Sequence, residues 1–229
     1  MVSQSERESL EQRLAQIRQT LPSTVRLIAV TKQVSVELIR LAYALGLRDF
    51  AESRIQEAAA KQAELSDWTD VNWHLIGHLQ TNKASKALER FQWIHSLDSL
   101  KLAQRLNQLA APQQQKPQLC LQVKLRPDPD KFGWTAAELL AALPDLEQCQ
   151  ALNIVGLMTI PPNGLPPAET AAIFEQTRAL AQQIQQQSSL TISELSMGMS
   201  GDYPLAIQSG ATMIRLGRVL FGNRSSLSL

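Results

Sequence analysis

The sequence predicts an α/β fold, a single (β/α)8 TIM barrel with an extra N-terminal helix. Three observations predict it. Short apolar or β-branched runs recur eight times along the chain, segments of helical apolar spacing separate them, and no linker interrupts the series. Strands that alternate with helices imply a parallel sheet, because each strand regains its direction through a crossover helix. Eight units favour closure into a barrel over the alternative, an open doubly wound sheet. At 229 residues the chain can bury a core without disulfides or metals, and residues 1–229 read as one domain.

The elements follow in order. Ser5 to Leu21 carries Leu10, Leu14, Ile17 and Leu21 on one stripe and is stopped by Pro22. Leu27-Ile28-Ala29-Val30-Thr31-Lys32 is the first strand, an apolar run that ends in a lysine. Lys32 therefore stands at the mouth of the sheet, where a lone lysine otherwise only marks an exit to solvent. Val34 to Leu45 is helical, with Gly46 as its C-cap. Residues 49–52 form strand two and Ile55 to Leu65 its alanine-rich helix; residues 72–77 form strand three and Thr81 to Arg90 its helix.

Strand four covers 93–96 and its helix Ser99 to Leu109, before Pro112 and a glutamine cluster. Strand five covers 118–125, with an exit loop rich in proline and aspartate and a helix from Thr135 to Leu143. Strand six covers 154–159, followed by a proline-rich loop and the long helix Ala168 to Gln187. Strand seven (194–197), a short helix (202–209) and strand eight (212–216) complete the series, and residues 225–229 are expected to fray as a disordered tail.

Composition narrows the function classes. A formal charge of +1 gives no electrostatic reason to expect nucleic acid or an anionic membrane as partner. No apolar run approaches the roughly 20 residues of a membrane span, and the N-terminus reads as a polar-faced helix. Cys120 and Cys149 lack metal-ligand or redox spacing and read as reduced core residues, so a cytoplasmic location is expected.

In barrels of this kind the active site lies at the C-terminal strand ends, and phosphate often sits beside strands seven and eight. After strand seven comes Ser196-Met197-Gly198-Met199-Ser200-Gly201-Asp202, where small residues let backbone approach an anion and Ser200 offers a hydroxyl. After strand eight comes Arg215-Leu216-Gly217-Arg218. Each glycine taken singly is an ordinary turn residue; together, at the two expected strand ends, they make an anion cradle. An anion cradle facing a lysine on strand one suggests pyridoxal 5'-phosphate (PLP), whose aldehyde takes a lysine amine and whose phosphate takes backbone donors.

Five stretches then carry a resemblance: IAVTK at 28–32, WHLIGHLQTNK at 73–83, HSLDS at 95–99, GLMTI at 156–160, and the run from Leu195 to Gly222. In this order, over almost the full length, they resemble the pyridoxal phosphate homeostasis protein family, with its alanine racemase N-terminal-like barrel of PLP fold type III. The resemblance implies a Schiff base between PLP and Lys32. It implies phosphate contacts from Gly198, Met199, Ser200, Gly217 and Arg218, Arg215 at the pyridine nitrogen, and His74 and Met158 beside the cofactor. Ser53 stands where the family has an asparagine, in Ala51-Glu52-Ser53, and Lys131 corresponds to a second lysine able to meet the cofactor.

An arginine at the pyridine nitrogen disfavours a proton there and weakens the ring as an electron sink. That suits cofactor holding or racemisation better than transamination. Racemisation needs a second proton carrier opposite Lys32. Alanine racemases draw it from a dimer partner's tyrosine and carry a further β-domain, whereas this chain is expected to have no such domain and to be a monomer. Of its two tyrosines, Tyr43 lies in a helix and Tyr203, at a helix start, is the candidate second base or a packing residue. His74 near the end of strand three contacts the cofactor or packs, Glu52 and Asp98 read as helix caps, and Gly77 spoils His74 and His78 as a metal pair. The expectation is a PLP carrier with little or no catalysis, acting in PLP homeostasis and amino-acid and keto-acid balance, with PLP-dependent enzymes as recipients. A PLP-dependent amino-acid racemase is the alternative, and a phosphate-binding isomerase without pyridoxal a third.

Overall fold

The computed structural model describes residues 2–222; the expected tail at 225–229 lies outside the described residues. Eight strands, β1 (Arg26–Val30), β2 (Asp49–Glu52), β3 (Asn72–Leu75), β4 (Trp93–Leu97), β5 (Gln118–Val123), β6 (Asn153–Thr159), β7 (Glu194–Ser196) and β8 (Met213–Leu216), form a closed barrel in sequence order. Every pairing is parallel, and β1 meets β8 with Arg26 opposite Met213 and Ala29 opposite Leu216.

Around it lie α1 (Gln4–Thr20), α2 (Val36–Ala44), α3 (Ile55–Glu64), α4 (Ala84–Arg90), α5 (Leu100–Ala110), α6 (Ala136–Glu147), α7 (Pro167–Gln187), α8 (Tyr203–Gln208) and α9 (Arg218–Phe221). Local chemistry starts several of them. Ser35 and Ser99 accept from the backbone N–H three residues on, and Ser3 with Glu6 and Thr135 with Glu138 make capping boxes that satisfy otherwise orphaned donors. Gly46, at φ +90°, follows α2 in the left-handed conformation expected of a helix stop.

Strand parity divides the core in two. Leu27, Ala29, Phe50, Leu75, Ile94, Leu119, Leu157, Leu195 and Ile214 face the helices, in one cluster with Leu10, Ile39, Leu106 and Phe174. Ile28, Val30, Ala51, Trp93, Cys120, Met158 and Met213 fill the barrel interior in a second cluster. Side chains two apart along a strand share a face, so β1, β2, β4, β5, β6 and β8 feed both clusters, while β3 and β7 feed the outer one and turn the buried polar His74 and Ser196 the other way. Cys120 and Cys149 are free, buried, and in different clusters.

Several boundaries differ from those the sequence predicts: β1 ends at Val30 rather than Lys32, β3 at Leu75 rather than Gly77 and β5 at Val123 rather than Leu125, and further differences lie in the helices. Helix α6 runs through Pro144 to Glu147, because Leu143 and Leu146 are both buried and that packing outweighs the backbone donor the proline lacks. The segment 81–83 is a 3-10 turn before α4. The four-residue α9 has no counterpart in the periodicity, being too short to show one.

Candidate functional site

At the C-terminal rim of the barrel a cavity of about 450 Å³ opens between β1, β2, β3, β6, β7 and β8. Its size is that of a small-ligand pocket. Strand β1 ends at Val30, Thr31 turns outward to hydrogen-bond Glu52, and Lys32 falls back on the inward parity of Ile28 and Val30, exposed at the cavity wall. Ser53, Ile76, Ile160, Arg215 and Gly217 reach the same wall from the ends of β2, β3, β6 and β8.

The turn after β7 supplies Met199, Ser200, Gly201 and Asp202. Gly198, at φ +94°, bends the chain there; a Cβ would lie 2.7 Å from that of Ala206, so only glycine fits. Asp202 Oδ1 accepts from Met199 N–H at 2.6 Å, and Ser200 Oγ accepts from Val219 N–H at 3.2 Å, tying the β7 turn to α9. Among the described residues no hydrogen bond uses the backbone N–H of Ser200, Gly201 or Arg218, and the space where a Cβ on Gly201 would stand is open. These donors, with the Arg218 guanidinium, fit an anion such as a phosphate.

Arg215 is the floor. It is buried, donates Nη1–H to Ser196 Oγ at 2.7 Å and Nη2–H to the Thr159 carbonyl at 3.0 Å, and desolvation pushes its pKa down to about 10. No carboxylate of the described residues lies within salt-bridge distance of it. A guanidinium so placed suits a neutral ring-nitrogen acceptor. An amine, an anion cradle and a cationic floor around one cavity fit the three ends of PLP.

Of the residues the sequence singles out, the cavity brings together Lys32, Ser53, Met199, Ser200, Arg215, Gly217 and Arg218. Gly198 sits behind the turn, its carbonyl accepting from Arg215 N–H at 2.9 Å. His74 and Met158 are not on the cavity wall. Each lies one inward position below a wall residue, Ile76 and Ile160, or about 6.6 Å along its strand at 3.3 Å per residue. His74 is instead hydrogen-bonded to Asp49 and His95 inside the barrel. Val30, Ile76, Ile160, Asn163, Gly201 and Asp202 complete the wall. Parity carried two residues further along β3 and β6 would find the two isoleucines, whereas nothing in the proline-rich loop marks Asn163.

Glu52 and Asp98 cap no helix. Glu52 is wholly buried and accepts from Thr31 Oγ1 at 2.6 Å and Lys61 Nζ at 2.7 Å; burial raises its pKa against these contacts. Asp98 pairs with His78 Nδ1 at 2.7 Å, and His78 stacks on the exposed Phe132. Lys131 Nζ is held by the Pro161 carbonyl at 2.7 Å and Asp128 at 3.1 Å, and Tyr203 packs against the outer core; neither reaches the cavity wall.

Comparisons with known proteins identify the family. The family model for the alanine racemase N-terminal domain matches residues 6–225. The chain is 54% identical to the pyridoxal phosphate homeostasis protein of Synechocystis sp., over 92% of this chain and 96% of that one. Its identity to the protein of the same name from Pseudomonas aeruginosa is 42%, over 89% and 86%. Among solved structures, PipY of Synechococcus elongatus with PLP bound superposes with a TM-score of 0.89 at 55% identity, covering 93% of this chain and all of that one. Alanine racemase of Clostridium difficile, at 16% identity and a TM-score of 0.75, shares the fold over 58% of its own length. A matched family model over nearly the whole chain, and relatives above 40% identity, lead to one conclusion: the chain belongs to the pyridoxal phosphate homeostasis protein family, within the alanine racemase N-terminal domain family.

Proposed function

We propose that this protein binds PLP covalently through Lys32 and holds it for PLP homeostasis, and so for amino-acid and keto-acid balance, with little or no catalysis. The observation that carries this reading is that the Lys32 amine, the donor-rich turns at 199–202 and 217–218, and the Arg215 guanidinium share one cavity. PLP brings an aldehyde that condenses with a primary amine. Lys32 supplies that amine, Ser200, Gly201 and Arg218 hold the phosphate, Ser53 lies beside the ring, and Arg215 keeps its nitrogen unprotonated. PipY, solved with PLP bound, supports the cofactor assignment. Relatives named for homeostasis, with no enzymatic activity in that name, support the carrier role.

The cavity wall supports the absence of turnover. Among the described residues its titratable side chains are Lys32, Asp202, Arg215 and Arg218, Asp202 already accepts a backbone hydrogen bond, and no tyrosine lines the wall. The chain is read as one PLP-binding domain over 1–229 and as a monomer that releases PLP to PLP-dependent apoenzymes. A cytoplasmic location is supported by two buried, unpaired cysteines. The test is spectroscopic. Protein loaded with PLP should show the absorbance band of a lysine-linked cofactor, and Lys32→Ala should lose it; an unchanged band in that variant overturns the assignment. Chiral assay of amino acids with the loaded protein should show no interconversion, and turnover would replace the carrier by a racemase.

A further inference from the structure

Beneath the rim cavity the barrel interior holds an unbroken line of polar groups. His74 on β3 and His95 on β4, both fully buried, stand in series. His74 Nε2 lies 3.0 Å from Asp49 Oδ1, His74 Nδ1 lies 2.9 Å from His95 Nε2, and His95 Nδ1 lies 2.8 Å from Ser196 Oγ. Arg215 joins the other end through its 2.7 Å bond to Ser196 Oγ. The line crosses the barrel from Asp49, the first residue of β2, to the arginine on the cavity floor.

Donor and acceptor chemistry permits one proton order for neutral rings. Ionised Asp49 only accepts, so His74 carries its proton on Nε2 and offers the Nδ1 lone pair. His95 must then donate from Nε2 and accept on Nδ1, which takes the Ser196 hydroxyl proton. Ser196 Oγ in turn accepts from Arg215. Each bond points from the guanidinium toward the carboxylate, an arrangement in which successive dipoles reinforce one another.

We propose that His74, His95 and Ser196, anchored at Asp49, are positioning residues that fix the Arg215 guanidinium at the cavity floor through this one-way relay. An extra proton on His74, carried on Nδ1, would leave its bond to Asp49 intact but force His95 into the opposite tautomer. Ser196 Oγ would then face two donors, and its own hydrogen would lose the His95 acceptor. The groups facing the rings resist that proton. Arg26 from β1 sits over Trp93, whose ring stacks on His74 from β4, and Arg215 approaches from β8; Asp49 from β2 is the counter-charge, and Cys120 from β5 has its thiol pushed up by burial. Burial lowers the pKa of His74, and it lowers that of His95 further, with His74, Arg215 and Arg26 adding to the effect.

The relay is tested first without cofactor. Nitrogen NMR of the imidazoles in the apoprotein should show His74 and His95 neutral, each with Nε2–H, and unchanged from about pH 8 to about pH 6, a range that spans the ordinary imidazole pKa. A ring with Nδ1–H, or one that titrates in that range, overturns the proposal. Ser196→Ala then cuts one link with little change of volume. His95 should lose its single tautomer, PLP should bind roughly tenfold more weakly, as expected for a lost hydrogen bond to a charged group, and the bound-cofactor spectrum should shift. A serine that merely packs would leave tautomer and spectrum unmoved, and that result also overturns the relay. The binding arm rests on the proposed PLP site. Failure of the unaltered protein to bind PLP would defeat that site while the tautomers still report on the relay.

Discussion

Lys32 and Lys61 illustrate how the fold assigns different work to one residue type. Lys61 is buried and spends its three protons on the Thr31 carbonyl at 2.7 Å, Glu52 at 2.7 Å and Glu57 at 2.9 Å. Glu57 also accepts from Gln33 N–H, so the backbone on both sides of Lys32 is held while its amine stays exposed at the cavity. Lys61→Met would strand the Glu52 carboxylate, and breaking a buried pair from one side costs about 3–5 kcal/mol. Urea unfolding should show that loss. The buried imidazoles give a pH prediction. Their pKa values lie below the ordinary 6.5 in the folded chain, so the unfolded chain binds more protons as pH falls. The stability they contribute is fully present above that value and declines below it. Urea midpoints should therefore fall between about pH 7 and about pH 5, and fall less steeply in His95→Phe. Lys32 was legible as a lysine ending an apolar run; Lys61 was not, because no local pattern distinguishes it on an alanine-rich helix.

At the scale of elements, strands and helices were legible because period and capping are local. Eight apolar runs became eight strands, and Ser35, Ser99 and Thr135 stand where helices begin. Pro144 marks what locality misses. A proline normally ends a helix, yet burial of Leu146 carries α6 one turn further. Gly156 is the sharpest requirement within an element. A Cβ there would lie 2.3 Å from the Glu194 carbonyl oxygen, which is backbone of the adjacent strand β7 and cannot swing aside. Gly156→Ala must push β6 and β7 apart, at about 1–3 kcal/mol for overpacking. Thermal unfolding should register the loss, and amide exchange should quicken in β6 and β7 if the damage is local.

For the whole molecule, closure is the decisive event. Pairing of β1 with β8 sets residues nearly two hundred positions apart side by side, and α1 packs beside α9 where Arg13 Nη1 donates to the Leu220 carbonyl at 3.1 Å. Leu10, Leu14 and Ile17 are buried there, which makes the N-terminal helix part of the outer core. Leu14→Ala should cost about 2–5 kcal/mol, as buried leucine truncations do. Its effect should appear in the urea midpoint, with PLP binding unchanged in the fraction that remains folded, since no residue of α1 lines the cavity wall.

Taken by itself, the sequence determined the succession of strands and helices, the end of the barrel at which the cavity opens, and the lysine, arginine and glycine turns found there. Each rests on near neighbours along the chain, where hydrophobic period and turn chemistry operate. Only the tertiary structure decided depth. Whether a residue such as His74 reaches the rim or lies one layer below it depends on strand stagger around the closed barrel. The pairing of His74 with His95, of Ser196 with Arg215 and of Lys61 with Glu52 depends on which inward or outward side chains that stagger sets face to face.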